Sequence, residues 1–476
     1  MHAVFRKIFA RRSMTREVLS LHIGQCGCNV GLHTWRKLFE EHTCDKNIMG
    51  MNSGFLGGEL SSKNEMPSAF FYESEDGTYK PRSVLIDTDP HLSHTVSHEC
   101  RSTELNFEAD SVLSYKQDCR ANYFEGLMKS RELGIVQDVT DQLLNQADRS
   151  DSVGGFLVYR SLGGGTGSGV GTRLLESVRD TFGPKSVIFE PLVFPSTDSS
   201  TASAEPYNCV FGLASGRNVA SLSLMLDNEA VGKFGGGGVS VSHLNGTISR
   251  AISECTSTLR FPSSLNSSLD QIVTNLVPDP IFRYPIVSMC SSESEACSEL
   301  VRGLFDPKNS LCLCPNLKLN RYFAATVIAR TASNAETHLA QIQRSLNRLK
   351  EELTFRKNPV KFVPWIGNSF KIGLLNNTHN TNSVLLLANT TGVRTLFLRQ
   401  YEKFLNLYYH KAYVWQFLEA GGELDDFHDA TENLHEMLHQ YESTLSAAAV
   451  EEVANLRTAA SALPTSRRRT VFQPTL

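Results

Sequence analysis

The sequence predicts an α/β fold in which a Rossmann-like parallel sheet, wound on both faces, is followed by a long helix, a mixed α/β region and a helical C-terminal region. Three observations predict it. Short apolar runs alternate with helical stretches through the N-terminal half, as expected for strands covered on both faces. A glycine run, Gly163-Gly164-Gly165-Thr166-Gly167-Ser168-Gly169, stands between the apolar stretch Phe156-Leu157-Val158-Tyr159 and a helix-like one. Toward the C-terminus, segments 396–417 and 426–456 repeat apolar residues three and four apart, the mark of amphipathic helices laid on a core.

In chain order, 18–23 reads as the first strand and 28–40 as the helix after it. Segment 43–81 is rich in Gly, Ser, Asn and Lys with little periodicity and reads as a long surface loop. Strands follow at 84–86, 156–159 and 187–194, with a helix over 168–179. A second glycine run, Phe234-Gly235-Gly236-Gly237-Gly238, has no apolar strand before it and reads as a linker into a long helix over 241–259. From Asn266 onward the pattern is mixed, with strands at 322–329, 370–375 and 383–387. Glu423-Leu424-Asp425-Asp426 joins the last two helices as a solvated turn with capping carboxylates.

Composition narrows the function. The chain has 476 residues, 41% of them hydrophobic, and a formal net charge of −4, which predicts neither a nucleic-acid partner nor an anionic membrane surface. Its length suits two or three domains. Eleven cysteines without a signal peptide point to reduced thiols in the cytosol. No apolar stretch is long enough to span a bilayer. The pairs Cys26/Cys28 and Cys312/Cys314 could each be half of a zinc site, but neither has a second pair at ligand spacing, so small buried apolar residues are expected. The first fourteen residues carry Arg6, Lys7, Arg11 and Arg12 and no acid, superficially like a transit peptide.

The glycine run carries the chemistry. Residues without a Cβ let backbone N–H groups approach an anion, and the following helix points its positive end at the same place. A P-loop would follow its last Gly with Lys and then Ser or Thr, whereas Val170-Gly171-Thr172 stands here, so no ammonium reaches the phosphates. A dinucleotide-binding loop belongs in the first βα unit, yet about a third of the chain precedes this run. On its own the run remains open between a tight structural loop and a phosphate cradle.

The surrounding motifs decide it, because the chain resembles the tubulin superfamily along nearly its whole length. The resemblance is carried, in order, by Arg16-Glu17-Val18-Leu19-Ser20-Leu21-His22-Ile23-Gly24-Gln25-Cys26-Gly27, Pro81-Arg82-Ser83-Val84-Leu85-Ile86-Asp87-Thr88-Asp89-Pro90, the glycine run, Glu205-Pro206-Tyr207-Asn208, Asp227-Asn228-Glu229-Ala230, Leu259-Arg260-Phe261, Thr274-Asn275-Leu276-Val277-Pro278 and Asn389-Thr390-Thr391. It implies an extension over 1–14 with Met14 opening the family's usual start, a GTP-binding domain over 15–226, a linker and core helix over 227–262, an intermediate domain over 263–395, a helical region over 396–460 and a basic tail over 461–476.

The resemblance also implies a ligand, GTP or GDP with Mg²⁺. Gly24, Gln25 and Cys26 would line the first phosphate loop, with Gln25 near the metal. Asp89 and Asp87 would hold Mg²⁺ through water. Asp118 would stand in the loop approaching the γ-phosphate. Ser161 and Gly163, Gly164, Gly165, Thr166, Gly167, Ser168 and Gly169 would form the main cradle. Thr201 and Glu205 would approach the ribose, while Asn228 and Asn245 would read the guanine edge, since an amide both donates and accepts.

Departures from the family pattern fall on functional positions. Ala121 replaces the usual Asn of the γ-phosphate loop, and Val241 replaces the aromatic that stacks on guanine, so reduced nucleotide affinity is expected. In the loop that acts on a neighbouring subunit's nucleotide, Asn266 matches, but Gln271 stands where alpha tubulins carry an activating Glu, with Asp270 as the nearest carboxylate. A Gln orients water without accepting its proton. The end, Arg467-Arg468-Arg469-Thr470-Val471-Phe472-Gln473-Pro474-Thr475-Leu476, is basic where alpha and beta chains are acidic.

Together these imply a divergent tubulin outside the alpha and beta isotypes, in the delta, epsilon and zeta group with zeta preferred. The expected role is a cytoplasmic, cytoskeletal GTP-binding structural subunit of centrioles, basal bodies and cilia. Its partners would be other tubulins in head-to-tail contact, with microtubules or centriolar proteins, and activation of a neighbour's GTP hydrolysis would be weak or absent. The alternative is an ordinary dynamic lattice subunit with GTPase activity. A nicotinamide-dependent oxidoreductase is disfavoured by the motif series.

Overall fold

The structure, a computed structural model, describes residues 16–43, 68–103, 105–196, 202–236, 240–261, 263, 265–314, 320–331, 335–351, 361–366, 370–376 and 381–445. Its centre is a ten-stranded sheet in the order β11-β10-β12-β9-β8-β7-β6-β1-β4-β5. These strands are β1 (Glu17–Ile23), β4 (Ser83–Asp87), β5 (Val112–Ser114), β6 (Val153–Ser161), β7 (Ile188–Phe194), β8 (Leu222–Asp227), β9 (Ile286–Ser292), β10 (Tyr322–Thr331), β11 (Phe370–Asn376) and β12 (Asn382–Thr390). From β8 to β5 every pairing is parallel. In chain order that half reads 3-2-1-4-5-6 from β5, the doubly wound arrangement whose order reverses between β1 and β6. The second half is mixed, β12 running antiparallel to both β9 and β10, and it joins the first through the Met225–Ile286 pairing of β8 with β9.

The helices that position the site are α1 (Gly24–Thr43), α2 (Leu92–Thr103), α3 (Tyr123–Glu132), α4 (Ile135–Asp148), α5 (Gly171–Phe182), α6 (Glu205–Gly216), α7 (Asn228–Lys233), α8 (Val241–Arg260) and α9 (Leu269–Leu276). Buried residues on one sheet face, Leu19, Leu21, Ile23, Val84 and Ile86, cluster with Val139 and Leu143 of α4 and Leu174 and Val178 of α5. On the other face Leu157, Tyr159, Leu224 and Leu226 cluster with Val30 and Trp35 of α1 and Ile248, Ile252 and Cys255 of α8. Among the described residues no helix is long and apolar enough to cross a membrane.

The core helix α8 ends in a buried ionic cluster, which is the structural use of Leu259-Arg260-Phe261. Arg260 Nη1 lies 2.9 Å from Glu41 Oε2, Ser253 Oγ donates to Glu41 Oε1 at 2.7 Å, and Arg330 Nη1 lies 3.5 Å from Glu41 Oε2 and 3.6 Å from Glu254 Oε1. Ser383 Oγ closes it by donating to Glu254 Oε1 at 2.9 Å. Both guanidinium groups also sit by the Phe261 ring, 5.1 and 5.3 Å from its centre. One set of contacts thus joins α1, α8, β10 and β12.

Several sequence expectations need correction. The end of segment 43–81 is not loop but a hairpin of β2 (Phe71–Glu73) and β3 (Tyr79–Pro81). Asp76-Gly77 makes its turn, with Gly77 at φ +73°, and Phe70 and Phe71 are buried against Trp35. The helix expected over 28–40 begins four residues earlier, because Gly24 at φ +73° turns the chain straight from β1 into α1. Segment 396–417 is two helices after α10 (Cys297–Gly303) and α11 (Ala335–Glu351), namely α12 (Arg394–Tyr409) and α13 (Val414–Glu419). Lys411 and Tyr413 adopt left-handed backbone between them, at φ 51° and 60°. The last described helix, α14 (Leu424–Ser443), ends at Ser443, and the rest of segment 426–456 from 446 onward and the basic tail lie outside the described residues. Glu423 and Asp426 cap α14 as expected, in a reciprocal capping box. Cys312 and Cys314 are buried free thiols, in keeping with the apolar role expected of them.

Candidate functional site

Loops from β1, β4, β5 and β6 meet beyond the C-terminal ends of these parallel strands, where open α/β sheets bind ligands. The glycine run does not stay a loop: Thr166–Val170 form one turn of π-helix running directly into α5. Such a start leaves first-turn N–H groups without intrahelical partners and facing outward. Beneath it lies a buried ion pair. Arg160 Nε bonds Glu190 Oε1, and Arg160 Nη1 donates to Gly167 O at 3.3 Å and to Ser168 O at 3.5 Å. Ser223 Oγ holds the other oxygen of Glu190 at 2.5 Å.

Close approach explains the glycines. A Cβ on Gly167 would lie 2.2 Å from Ser161 O, and one on Gly165 would lie 2.5 Å from Asn122 O and 2.9 Å from Cys119 Cβ. A Cβ on Gly24 would meet Gly167 N at 3.3 Å, so the first loop touches the run at the point where strand order reverses. Gly164, by contrast, is exposed with nothing within 4 Å of where its Cβ would be.

Side chains fasten the loops together. Thr88 and Thr166 share a hydrogen bond of 2.7 Å, and Cys119 Sγ donates to Thr88 Oγ1 at 3.6 Å. Asn208, fully buried, donates from Nδ2 to Ala121 O at 2.7 Å and to Gly163 O at 2.8 Å while accepting from Tyr123 N at 2.9 Å. Asn122 caps α3 and donates to Gln416 O at 3.0 Å, tying the site to the C-terminal helices. Arg120 and Ala121 are held at φ 46° and 49°, a conformation that costs a non-glycine residue about 1–2 kcal/mol.

The acids gather on one side. Asp89 N donates to Asp87 Oδ1 at 3.3 Å, His91 N to Asp89 Oδ1 at 2.8 Å, and Lys129 Nζ binds the Asp118 carbonyl. Burial pushes Asp87 up to about 6, and the neighbouring charges of Asp89 and Asp118 push the same way, against backbone N–H bonds from Asp89 and Thr88. Among the described residues no three His, Cys, Asp or Glu stand together closely enough to hold a metal ion. A hard cation beside Asp87 and Asp89 would therefore have to complete its oxygen shell from a ligand or water. Burial, partly offset by a bond with Ser161, pushes the Cys26 thiol up to about 11, so it stays protonated beside the cradle.

The other expected residues spread around this centre. Gln25 is exposed and Cys26 half-buried in the first turn of α1. Glu205, at the start of α6, has its carboxyl carbon 3.5 Å from the Cβ position of Gly163. Asn228 opens α7 and Asn245 is buried in α8, and the two helices touch where Gly232 meets Leu244. Val241 is 65% exposed, offering no flat face to a base. Thr201 lies outside the described residues.

Asn266, Asp270 and Gln271 stand elsewhere. Leu269 lies 3.0 Å from the Cβ position of Gly155, and Asp270 lines a cavity of about 420 Å³ with Val153, Gly154 and Phe156, all at the N-terminal start of β6. The glycine run follows the other end of that nine-residue strand, roughly 25–30 Å away. Ser268 caps α9, its Oγ accepting from Gln271 N at 3.3 Å, and Gln271 Oε1 reaches back to accept from Ser267 N at 2.9 Å. Asn266, buried at φ 56°, accepts from Asn275 Nδ2 at 2.6 Å.

Comparison with known proteins fixes the family. A family model described as the GTPase domain of the Tubulin/FtsZ family matches residues 17–236, and one described as the Tubulin C-terminal domain matches residues 284–401. The Tubulin alpha-3 chain of Saccharomyces cerevisiae is 32% identical over 452 residues, covering 90% of this chain and 97% of that one. This chain belongs to the tubulin family. The Tubulin alpha chain of Dictyostelium discoideum is 30% identical over 467 residues, covering 92% and 99%, and that of Encephalitozoon cuniculi is 29% identical over 453 residues, covering 90% and 97%. Membership makes the chain a GTP-binding cytoskeletal subunit. The tubulin GTPase match spans every loop of the convergent site and closes just after α7, leaving α8 and the Asn266–Gln271 turn between the two matches.

Sequence reasoning missed four residues of this tubulin-family site. Thr88 and Asn208 stood inside quoted motifs, yet spacing does not reveal that one ties two loops and the other two carbonyls. Arg160 and Glu190 had a legible signal: opposite charges, each embedded in an otherwise apolar strand, point to a buried pair.

Proposed function

We propose that this chain is a GTP-binding structural subunit of microtubule-based structures, diverged from dynamic lattice tubulins, that binds GTP or GDP with Mg²⁺ and activates a neighbour's GTP hydrolysis weakly. Gly24, Gln25, Cys26 and the run from Ser161 to Gly169 hold the phosphates, Asp87 and Asp89 orient the hydrated metal, and Asp118 closes the loop near the terminal phosphate. Thr201 and Glu205 face the ribose, and Asn228 and Asn245 the base. Mg²⁺ held beside Asp87 and Asp89 would supply neutralisation of phosphate charge, and the chain's own contribution is to place the backbone donors.

The observation that carries this reading is the separation along β6. The phosphate loops lie at its C-terminal end and Asn266, Asp270 and Gln271 at its start, so the acidic turn can serve only a nucleotide on another molecule. That favours head-to-tail contact with other tubulins. Weak activation is supported by Gln271, whose side chain already accepts the Ser267 N–H. The delta, epsilon and zeta grouping, zeta first, and a centriolar, basal-body or ciliary location with centriolar partners are supported by Ala121, Val241, Gln271 and the basic end. The relatives compared are alpha chains.

Gln271→Glu tests the reading. A carboxylate keeps the acceptor for the Ser267 N–H and suits a helix N-terminus, so the fold is retained. In mixed assembly with alpha/beta tubulin, the variant raises GTP turnover by about 100-fold, the low end of what a positioned base supplies. Unchanged turnover in assemblies that form normally would sink the claim of weakened activation.

A further inference from the structure

The convergent site is rich in negative charge and poor in cations. Asp87, Asp89 and Asp118 surround it, and a nucleoside triphosphate adds more. Within segments 24–28, 87–90, 118–122 and 161–170, Arg120 is the sole Lys or Arg. The two buried cations next to them are spent: Arg160 on Glu190 and the carbonyls beneath the run, Lys129 on Glu125 at 3.0 Å and the Asp118 carbonyl.

Arg120 is placed differently. It is exposed, and among the described residues no hydrogen bond or ion pair holds its guanidinium. Its backbone is nonetheless fixed. Cys119 and Asn122 lie against Gly165, and the Ala121 carbonyl is tied through Asn208 to that of Gly163. The residue sits at φ 46° between two anchored neighbours. A side chain held at its root and free at its tip loses little on folding and keeps its planar fork of donors for a ligand.

We infer that Arg120 is a specificity-determining residue for the terminal phosphate, supplying in cis a bidentate cationic contact that distinguishes a nucleoside triphosphate from a diphosphate. It stands next to Ala121, where the polar contact expected of this loop is missing. This rests on the proposed guanine-nucleotide site and names the residue that reads phosphate number there.

The test equilibrates the full chain with equimolar GTP and GDP in Mg²⁺, then separates, denatures and quantifies the bound nucleotide by chromatography. Arg120→Ala keeps a Cβ residue at the same backbone angle and lowers the bound GTP-to-GDP ratio by about tenfold, the scale of one charge-assisted contact. GDP occupancy and the melting temperature with GDP stay as in the parent. Arg120→Lys recovers part of the ratio, as a point charge without the fork, and Lys116→Ala, an exposed cation nearby in the same loop, leaves it unaltered. A parent that holds both nucleotides and an Arg120→Ala ratio within about twofold of it overturn the inference alone. A parent that holds neither overturns the nucleotide site, and the inference with it.

Discussion

Gly167→Ala is expected to empty the nucleotide site, while Gly164→Ala three residues away is expected to leave it filled. The new Cβ at 167 would stand 2.2 Å from the Ser161 carbonyl, which is backbone of β6 and cannot rotate away. Relief requires the π-turn to lift from the strand, shifting the N–H groups of the run and breaking the Arg160 bonds to Gly167 and Ser168 carbonyls. Overpacking of this kind costs about 1–3 kcal/mol, and if it falls on the donors alone, nucleotide affinity drops by roughly 10–100-fold. At Gly164 nothing lies within 4 Å of the added atom and φ is ordinary. Nucleotide retained after desalting, measured on both variants, checks the pair. Equal retention would mean that the run is not held against β6 as described.

Glu41→Gln has the largest expected effect on stability. It leaves Arg260 and Arg330 buried together without the carboxylate that both face, a loss worth about 3–5 kcal/mol and, for a chain of this length, a fall in melting temperature of roughly 3–5 °C. The same contact makes stability depend on pH. Burial pushes the Glu41 carboxyl up, but Arg260 and Arg330 and the Ser253 hydroxyl outweigh it and hold it at about 2, below the usual 4.5. A depressed carboxylate contributes stability that is complete above 4.5 and is lost as pH falls toward 2. Across that window the parent loses about 3 kcal/mol through this group and the Gln variant does not. Thermal melts of both proteins from pH 6 down to the onset of acid unfolding give the comparison. Parallel curves would show that Glu41 is not the group that titrates.

The parallel half of the sheet was legible because its strands are buried on both faces: an apolar run such as Phe156-Leu157-Val158-Tyr159 announces itself. Strand β5 and the β2–β3 hairpin were missed for the opposite reason, whereas β8 was missed although it is buried throughout. β2, β3 and β5 are each only three residues long and partly exposed, and the burial of Phe71 in β2 comes from its long-range partner Trp35 and not from local pattern. The break between α12 and α13 was hidden because Lys411 and Tyr413 take left-handed angles without being Gly or Asn, so no residue type punctuates it. For the site, glycines and acids were visible as motifs, whereas Thr88, Asn208 and the Arg160–Glu190 pair act through contacts across dozens of residues. Gln271 was read as a departure at an acidic position, and the structure adds that its side chain accepts from Ser267 N just before the Ser268 cap, which spacing alone did not disclose.

The central claim is that four loops at the C-terminal ends of β1, β4, β5 and β6 form a guanine-nucleotide site in a static subunit that activates a neighbour's GTP hydrolysis weakly. The most direct measurement is to denature the purified chain, identify the released nucleotide by chromatography, and follow GTP turnover with and without alpha/beta tubulin. The account predicts bound GTP with little turnover in either condition. Bound GDP with turnover stimulated by alpha/beta tubulin would contradict the static role, and an empty or nicotinamide-loaded site would contradict the claim itself.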